Sequence, residues 1–276
     1  MTYVSPKKSL GQHFLKDLTI AKNIVNALQA TEVKNVIEIG PGTGVLTQFL
    51  LERTDIQLYC SEIDSESVVY LQEHFPVLGD RLIFGDFLKA NLANDFNLPC
   101  CVIGNFPYNI SSQLFFRILE YRNSIPEVVC MIQKEVAERL AAGPGSKTYG
   151  ILSVLLQAYY SIDYLFTVSE HVFNPPPKVK SGVIRLVRNN VDSLDCDEKF
   201  FKQIIKSTFN QRRKTIRNSI KPVVSELEGF LQEDALQKVL NDTEQQEWEF
   251  FMKQRPEQLS VGQFVRLTQL TQAFRD

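Results

Sequence analysis

No apolar run in this chain approaches bilayer-spanning length, its five cysteines show no CxxC spacing, and its three histidines lie far apart. The first absence excludes a membrane-spanning helix. The other two leave no zinc site and no disulfide framework to defend. Charge of one sign is also missing overall: the formal net charge is −2, so total charge does not announce a polyanion binder. The opening residues Met1 to Lys8 contain no apolar stretch of signal type, which implies a cytoplasmic protein. Nothing in the pattern demands more than a monomer.

At 276 residues with 44% hydrophobic content, there is enough chain for one large domain and one small one. Residues 1–16 form a basic arm with Lys7, Lys8 and Lys16 and no acid. From Asn35 on, short apolar runs alternate with helical patterns. Strands are predicted over 36–39, 57–63, 81–84, 100–104 and 127–133, with late strands at 164–168 and 182–187 around the Pro175-Pro176-Pro177 turn. Helices are predicted between them, including one over 151–160. This order argues a doubly wound, mostly parallel α/β sheet closed by an antiparallel edge pair. After about residue 190 the spacing becomes helical (Phe200, Ile204, Ile205; Val223, Leu227, Leu231; Val261, Phe264, Val265). The expected division is therefore 1–190 and a smaller all-α domain over 191–276.

Local charge says what the sum hides. Residues 202–221 carry seven basic residues and no acid, 174–190 carry four and none, and 223–258 carry nine acids against three bases. Three acid-free basic segments, the arm included, point to a polyanion such as RNA.

Three successive predicted strands end in groups suited to a nucleoside. Gly40-Pro41-Gly42-Thr43-Gly44 follows the first and opens a helix, as a turn that brings backbone close to a ligand does. Its spacing, Gly-x-Gly-x-Gly, fits a dinucleotide poorly. Glu62 ends the second, where an acid can hold ribose hydroxyls. After the third, Asp86 can accept from an adenine amino group while Ile63 or Phe87 flanks the ring. An adenosine cofactor without a pyrophosphate is implied, and S-adenosylmethionine fits best. The fourth strand ends in Asn105-Phe106-Pro107-Tyr108. There the Asn105 amide oxygen and the Phe106 carbonyl can both accept from an exocyclic amine, and Tyr108 can stack on a flat base.

These residues resemble the ribosomal RNA adenine N6-dimethyltransferases, most closely the bacterial small-subunit branch. The likeness runs over nearly the whole chain, through Ser9-Leu10-Gly11-Gln12-His13-Phe14-Leu15, the Glu38 to Gly44 loop, Glu62, Gly85-Asp86, Asn105 to Tyr108, Val172 to Val179 and Phe209 to Thr215. It implies a Rossmann-like methyltransferase sheet with S-adenosylmethionine contacts at His13, Leu15, Gly40, Glu62, Asp86 and Asn105. Catalysis would rest on Asn105, Phe106, Pro107 and Tyr108, with Phe173 packing the far side of the target base. The implied reaction is dimethylation of two adjacent adenines of 16S rRNA in the small (30S) subunit during its maturation. Lys7, Lys8, Lys178, Lys180, Arg212, Arg213, Lys214 and Arg217 are the expected phosphate contacts. Two positions depart from the family pattern: His13 stands where Asn is usual, and Phe106 where Leu is usual. The macrolide-resistance branch, a DNA adenine methyltransferase and a non-catalytic assembly factor are the rival readings.

Overall fold

Nine short runs of β-branched and other apolar residues form strands in the structure, a computed structural model that describes residues 4–31, 33–224 and 233–274. They are β1 (Phe14–Leu15), β2 (Asn35–Ile39), β3 (Gln57–Glu62), β4 (Leu82–Phe84), β5 (Cys101–Asn105), β6 (Glu127–Gln133), β7 (Tyr160–Val168), β8 (Phe173–Asn174) and β9 (Ser181–Arg188). Seven of them make one sheet in the order β4-β3-β2-β5-β6-β9-β7, and β1 pairs separately with β8. The pairs from β4 through β6 are parallel, and β9 is antiparallel to both its neighbours. The doubly wound expectation is met, with an antiparallel edge.

Burial on both faces explains the unbroken apolar runs of the central strands. Val36, Ile37, Val102, Ile103, Val128, Val129, Cys130, Met131 and Ile132 are all fully enclosed. Cys60, Cys100, Cys101 and Cys130 are buried free thiols that serve as small hydrophobes. The crossover helices carry their own start signals. Asp17 accepts from the N–H groups of Thr19 and Ile20 at the head of Leu18–Ala27, and Asp64 accepts from that of Glu66 at the head of Ser65–His74.

The strand order places the site. From β2 the chain winds outward through β3 to β4, then returns to lay β5 on the other side of β2. That reversal opens a crevice at the carboxyl ends of the parallel strands, where sheets of this kind bind ligands. Gly40, Glu62, Gly85 and Asn105 all stand at that edge.

By packing, the chain forms two compact units: 1–141 with 160–189, and 142–159 with 190–276. The sequence reading had put 142–159 in the first. The helix Ile151–Gln157 instead packs on Glu198–Asn210, and Tyr149 meets Phe209 edge-on at 6.1 Å. Strand β7 also begins four residues earlier than expected, at Tyr160. Its alternation of buried or half-buried with exposed residues over nine positions is a strand pattern, and the Tyr160 hydroxyl donates to the Ile125 carbonyl.

The second unit is helical among its described residues, as expected. Capping boxes start two helices: Asn241 with Glu244 at Asp242–Lys253, and Ser260 with Gln263 at Val261–Gln272. Its core holds Phe200, Phe201, Trp248, Phe251, Phe264 and Leu267. Leu227 and Leu231, assigned to a helix from their spacing, lie outside the described residues.

Candidate active site

A cavity of about 290 Å³ occupies the crevice, lined by Ser9 to Phe14, Gly40, Gly42, Glu62, Ile63, Gly85 to Leu88, and Asn105 to Ile110. Every expected cofactor position except Leu15 contributes to its wall. Leu15 is 4% exposed and lies in the core cluster; it borders a smaller cavity shared with Glu38, Gly40 and Asn105.

The Gly-rich turn is shaped by contact as well as by conformation. Gly42 has φ of +58°, and a Cβ there would sit 2.8 Å from the Phe14 ring. Any side chain would therefore push the N-terminal arm off the turn. Gly42 N–H donates to Glu62 Oε2 at 3.0 Å, while Ile63 and Asp64 N–H groups donate to Oε1, both at 2.9 Å. Glu62 is thus a fixed carboxylate with acceptor capacity left over at Oε2. Burial pushes its pKa up, and the three backbone hydrogen bonds pull it back. Asp86 spends Oδ1 on the Leu88 N–H at 3.0 Å. Phe87 is buried against Phe96 and Ile63 is half exposed.

Beneath the turn, Glu38 is 1% exposed and accepts from Thr47 Oγ1 at 2.6 Å and from the Cys60 thiol. Burial lifts its pKa to about 7; the Thr47 bond opposes the shift and Glu62 adds to it.

Asn105 Nδ2 donates to the His13 backbone carbonyl at 2.9 Å. A carbonyl only accepts, so the amide N–H side faces His13 and Oδ1 has no partner among the described residues. Phe106 N–H bonds Met131 O at 3.0 Å. Pro107 then breaks the ladder, so the Phe106 carbonyl leaves the strand with no partner among the described residues. The Phe106 ring is buried against Phe115, so the larger side chain is housed in the core and its carbonyl stays at the edge. Tyr108 Oη bonds Ser181 Oγ at 2.6 Å. Burial raises its pKa, with the Ser181 bond opposing, so the phenol stays neutral.

The arm forms the remaining wall. Lys7 is ion-paired to Asp64, and lies 3.2 Å from Glu66. Gln12 also donates to Asp64, at 3.2 Å. Burial raises the Asp64 pKa, but the Lys7, Gln12 and Ser67 hydrogen bonds outweigh it and hold the carboxyl below its ordinary value. Lys16 N–H bonds Val172 O, and β1 zips to β8 through Phe14 with Asn174 and Leu15 with Phe173.

Three expectations change. Phe173 is 1% exposed and packs in the core opposite Leu15, because β8 turns it inward; it does not line the cavity. Lys7 is spent on Asp64. Arg212 donates to Ser146 O at 3.1 Å and pairs with Glu257 at 3.8 Å, so it braces its own unit. Lys8, Lys178, Lys180, Arg213, Lys214 and Arg217 are exposed. Ser181, Asp64, Gln12 and Phe14 were missed as site residues. The Ser9 to Leu15 motif was the one signal available for Gln12 and Phe14, and nothing in the sequence marks Ser181.

Comparison with known proteins bears on this geometry. A family model described as ribosomal RNA adenine dimethylase matches residues 4–249. Ribosomal RNA small subunit methyltransferase A of Bacteroides thetaiotaomicron is 56% identical over 97% of this chain and 94% of its own. The protein of that name from Parabacteroides distasonis is also 56% identical, over 99% and 96%. Among solved structures, a dimethyladenosine transferase from Plasmodium falciparum is similar at TM-score 0.75 and 27% identity, over 92% of this chain and 96% of that one. The 23S rRNA methyltransferase ErmE shares the fold at TM-score 0.66 and 22% identity, over 95% of this chain and 100% of its own.

Proposed function

The chain belongs to the ribosomal RNA adenine dimethylases, and on that footing we propose that it dimethylates the N6 amine of adenines in 16S rRNA of the small ribosomal subunit, using S-adenosylmethionine. The small-subunit assignment follows the relatives at 56% identity. The observation that carries the chemistry is the fixed amide of Asn105, whose acceptor oxygen stands at the strand edge beside the Phe106 carbonyl, unpaired among the described residues, and the Tyr108 ring.

The residues present fit the cofactor. Glu62 keeps acceptor capacity for ribose hydroxyls, Asp86 offers Oδ2, 3.9 Å from the exposed Lys89 ammonium, to an adenine amino group, and Ile63 and Phe87 offer apolar flanks. When bound, S-adenosylmethionine supplies a methyl group activated by its sulfonium.

What the chain does is hold the other reactant. The N6 lone pair of adenine is delocalised into the ring and is a poor nucleophile. Acceptors at Asn105 Oδ1 and the Phe106 carbonyl take both N–H bonds, favour a pyramidal nitrogen and aim its lone pair at the donor. Tyr108 stacks on the base, which must first leave its own stack. Orientation of this kind is worth about 7–11 kcal/mol. No strong base is required, because the alkylated nitrogen sheds its proton readily to water.

The test is transfer of labelled methyl groups to purified small subunits lacking adenine dimethylation, with large subunits in parallel and the nucleosides identified after digestion. N6,N6-dimethyladenosine confined to the small subunit supports the reading. Label confined to the large subunit moves the activity to the other branch, and label in neither overturns it.

A further inference from the structure

Stacking a purine on Tyr108 requires the plane of that ring to be fixed, and the hydroxyl bond to Ser181 does not fix it. The Tyr108 oxygen lies on the axis about which the ring turns, so the 2.6 Å bond to Ser181 Oγ pins the tip and leaves rotation free. The group that meets the ring is His13. Its imidazole lies 5.6 Å from the Tyr108 ring, centroid to centroid, with the planes 30° apart. The imidazole is held in turn: Nδ1 is 2.7 Å from the Pro175 carbonyl, which only accepts, so the proton sits on Nδ1. The backbone behind it is fixed as well, because the His13 carbonyl takes the Asn105 N–H and Gly11 is pressed so close to Asn109 that a Cβ would lie 2.6 Å from its Oδ1.

We propose that the His13 imidazole is a positioning residue for the target adenine: it sets the plane of Tyr108 and covers part of one face, leaving the purine a single face and a single orientation. The inference rests on the proposed adenine methylation and deepens it. Through one residue, the same turn of the arm orients both elements that receive the base, Asn105 by its backbone and Tyr108 by its side chain. The contacts of the ring itself are with Tyr108 and the Pro175 carbonyl, so replacing it should disturb the base more than the cofactor. The second transfer is the more exposed to a loosened ring, since the monomethylated amine must be presented again in the same pose.

Wild type, His13→Ala and His13→Phe are compared for turnover on undimethylated small subunits, for S-adenosylhomocysteine affinity by calorimetry, and for the ratio of N6-methyladenosine to N6,N6-dimethyladenosine. His13→Ala is expected to lower kcat about three- to tenfold, the range an aromatic pair spans, and to raise the monomethyl share. Its cofactor affinity should stay within about twofold of wild type, a change too small for a lost hydrogen bond. His13→Phe keeps a ring against Tyr108 and should recover most of the turnover and the product ratio. Wild-type kinetics in His13→Ala would overturn the inference. So would a loss that His13→Phe does not recover, or one that tracks weakened cofactor binding. A wild-type protein inactive on both subunits would overturn the proposed function itself, and the inference with it.

Discussion

Asn105 and His13 are joined by a single hydrogen bond, Nδ2 to backbone carbonyl at 2.9 Å, and that bond decides which way the amide faces. With the donor side occupied, the acceptor side is what the cavity receives. The arm is therefore part of the catalytic geometry as well as a wall of the pocket.

Asn105→Ala should lower methyl transfer by about 10²–10³, as loss of one preorganised polar group at a reacting centre does. Asn105→Asp should do more than remove activity. A carboxylate oxygen would face the His13 carbonyl, two acceptors in contact, and the arm should be displaced. Calorimetry should then show weakened cofactor binding in Asn105→Asp beyond that of Asn105→Ala; equal affinities would count against the arm contact.

Tyr108→Ala should reduce kcat/KM for RNA by about 10- to 100-fold, in line with about 1–3 kcal/mol for base stacking on an aromatic ring. Tyr108→Phe loses only the Ser181 bond, and should stay within about tenfold of wild type by the net worth of one hydrogen bond. Filter binding and steady-state kinetics separate the two. Equal losses would mean that the hydroxyl, and not the ring, is what matters.

Lys7 and Arg212 should not behave as phosphate contacts. Lys7→Ala releases the arm from Asp64, so it should weaken cofactor binding and leave the salt dependence of RNA binding unchanged. Arg212→Ala should lower the melting temperature of the protein, through Glu257 and Ser146. Substitution of Arg213, Lys214 or Arg217 by Ala should each flatten the log–log salt slope by about one unit. A flattened slope in Lys7→Ala with intact cofactor affinity would return that lysine to the RNA footprint.

Glu38 should make the fold sensitive to pH. Its folded pKa, about 7, lies above the ordinary carboxyl value of 4.5. The folded protein therefore binds the extra proton between those limits. The stabilisation is complete below 4.5 and is lost as pH rises through about 7, a change of the order of 3 kcal/mol for a shift of this size. Glu38→Gln removes the titration and keeps an acceptor for Thr47. Thermal melts from pH 5 to pH 8 should show wild type losing more stability than the variant, whereas parallel curves would contradict the assignment.

What the sequence made legible was the strand edge. Gly40, Glu62, Asp86 and Asn105 each follow a short apolar run, and in a parallel α/β alternation all such ends fall on one side, so their convergence could be inferred without coordinates. Pairings that depend on two distant residues meeting were not legible. Phe173 reads as a free aromatic at the Pro-rich turn until Leu15 is found opposite it in a two-residue ladder. Arg212 belongs to an unbroken basic run until Glu257 and the Ser146 carbonyl are brought beside it. Ser181 is a small polar residue opening a strand, and only the fold gives it Tyr108. The misplaced start of β7 has a local cause: Ile151 to Leu156 and Tyr159-Tyr160 form one apolar stretch, and periodicity alone does not show where helix gives way to strand.

The account stands most directly on one comparison: wild type against Asn105→Ala on undimethylated small subunits, with the digested nucleosides identified and S-adenosylmethionine binding measured on both proteins. It predicts N6,N6-dimethyladenosine from wild type, and little or none from the variant while most of the cofactor affinity remains. Dimethyladenosine at the wild-type rate from Asn105→Ala would contradict it.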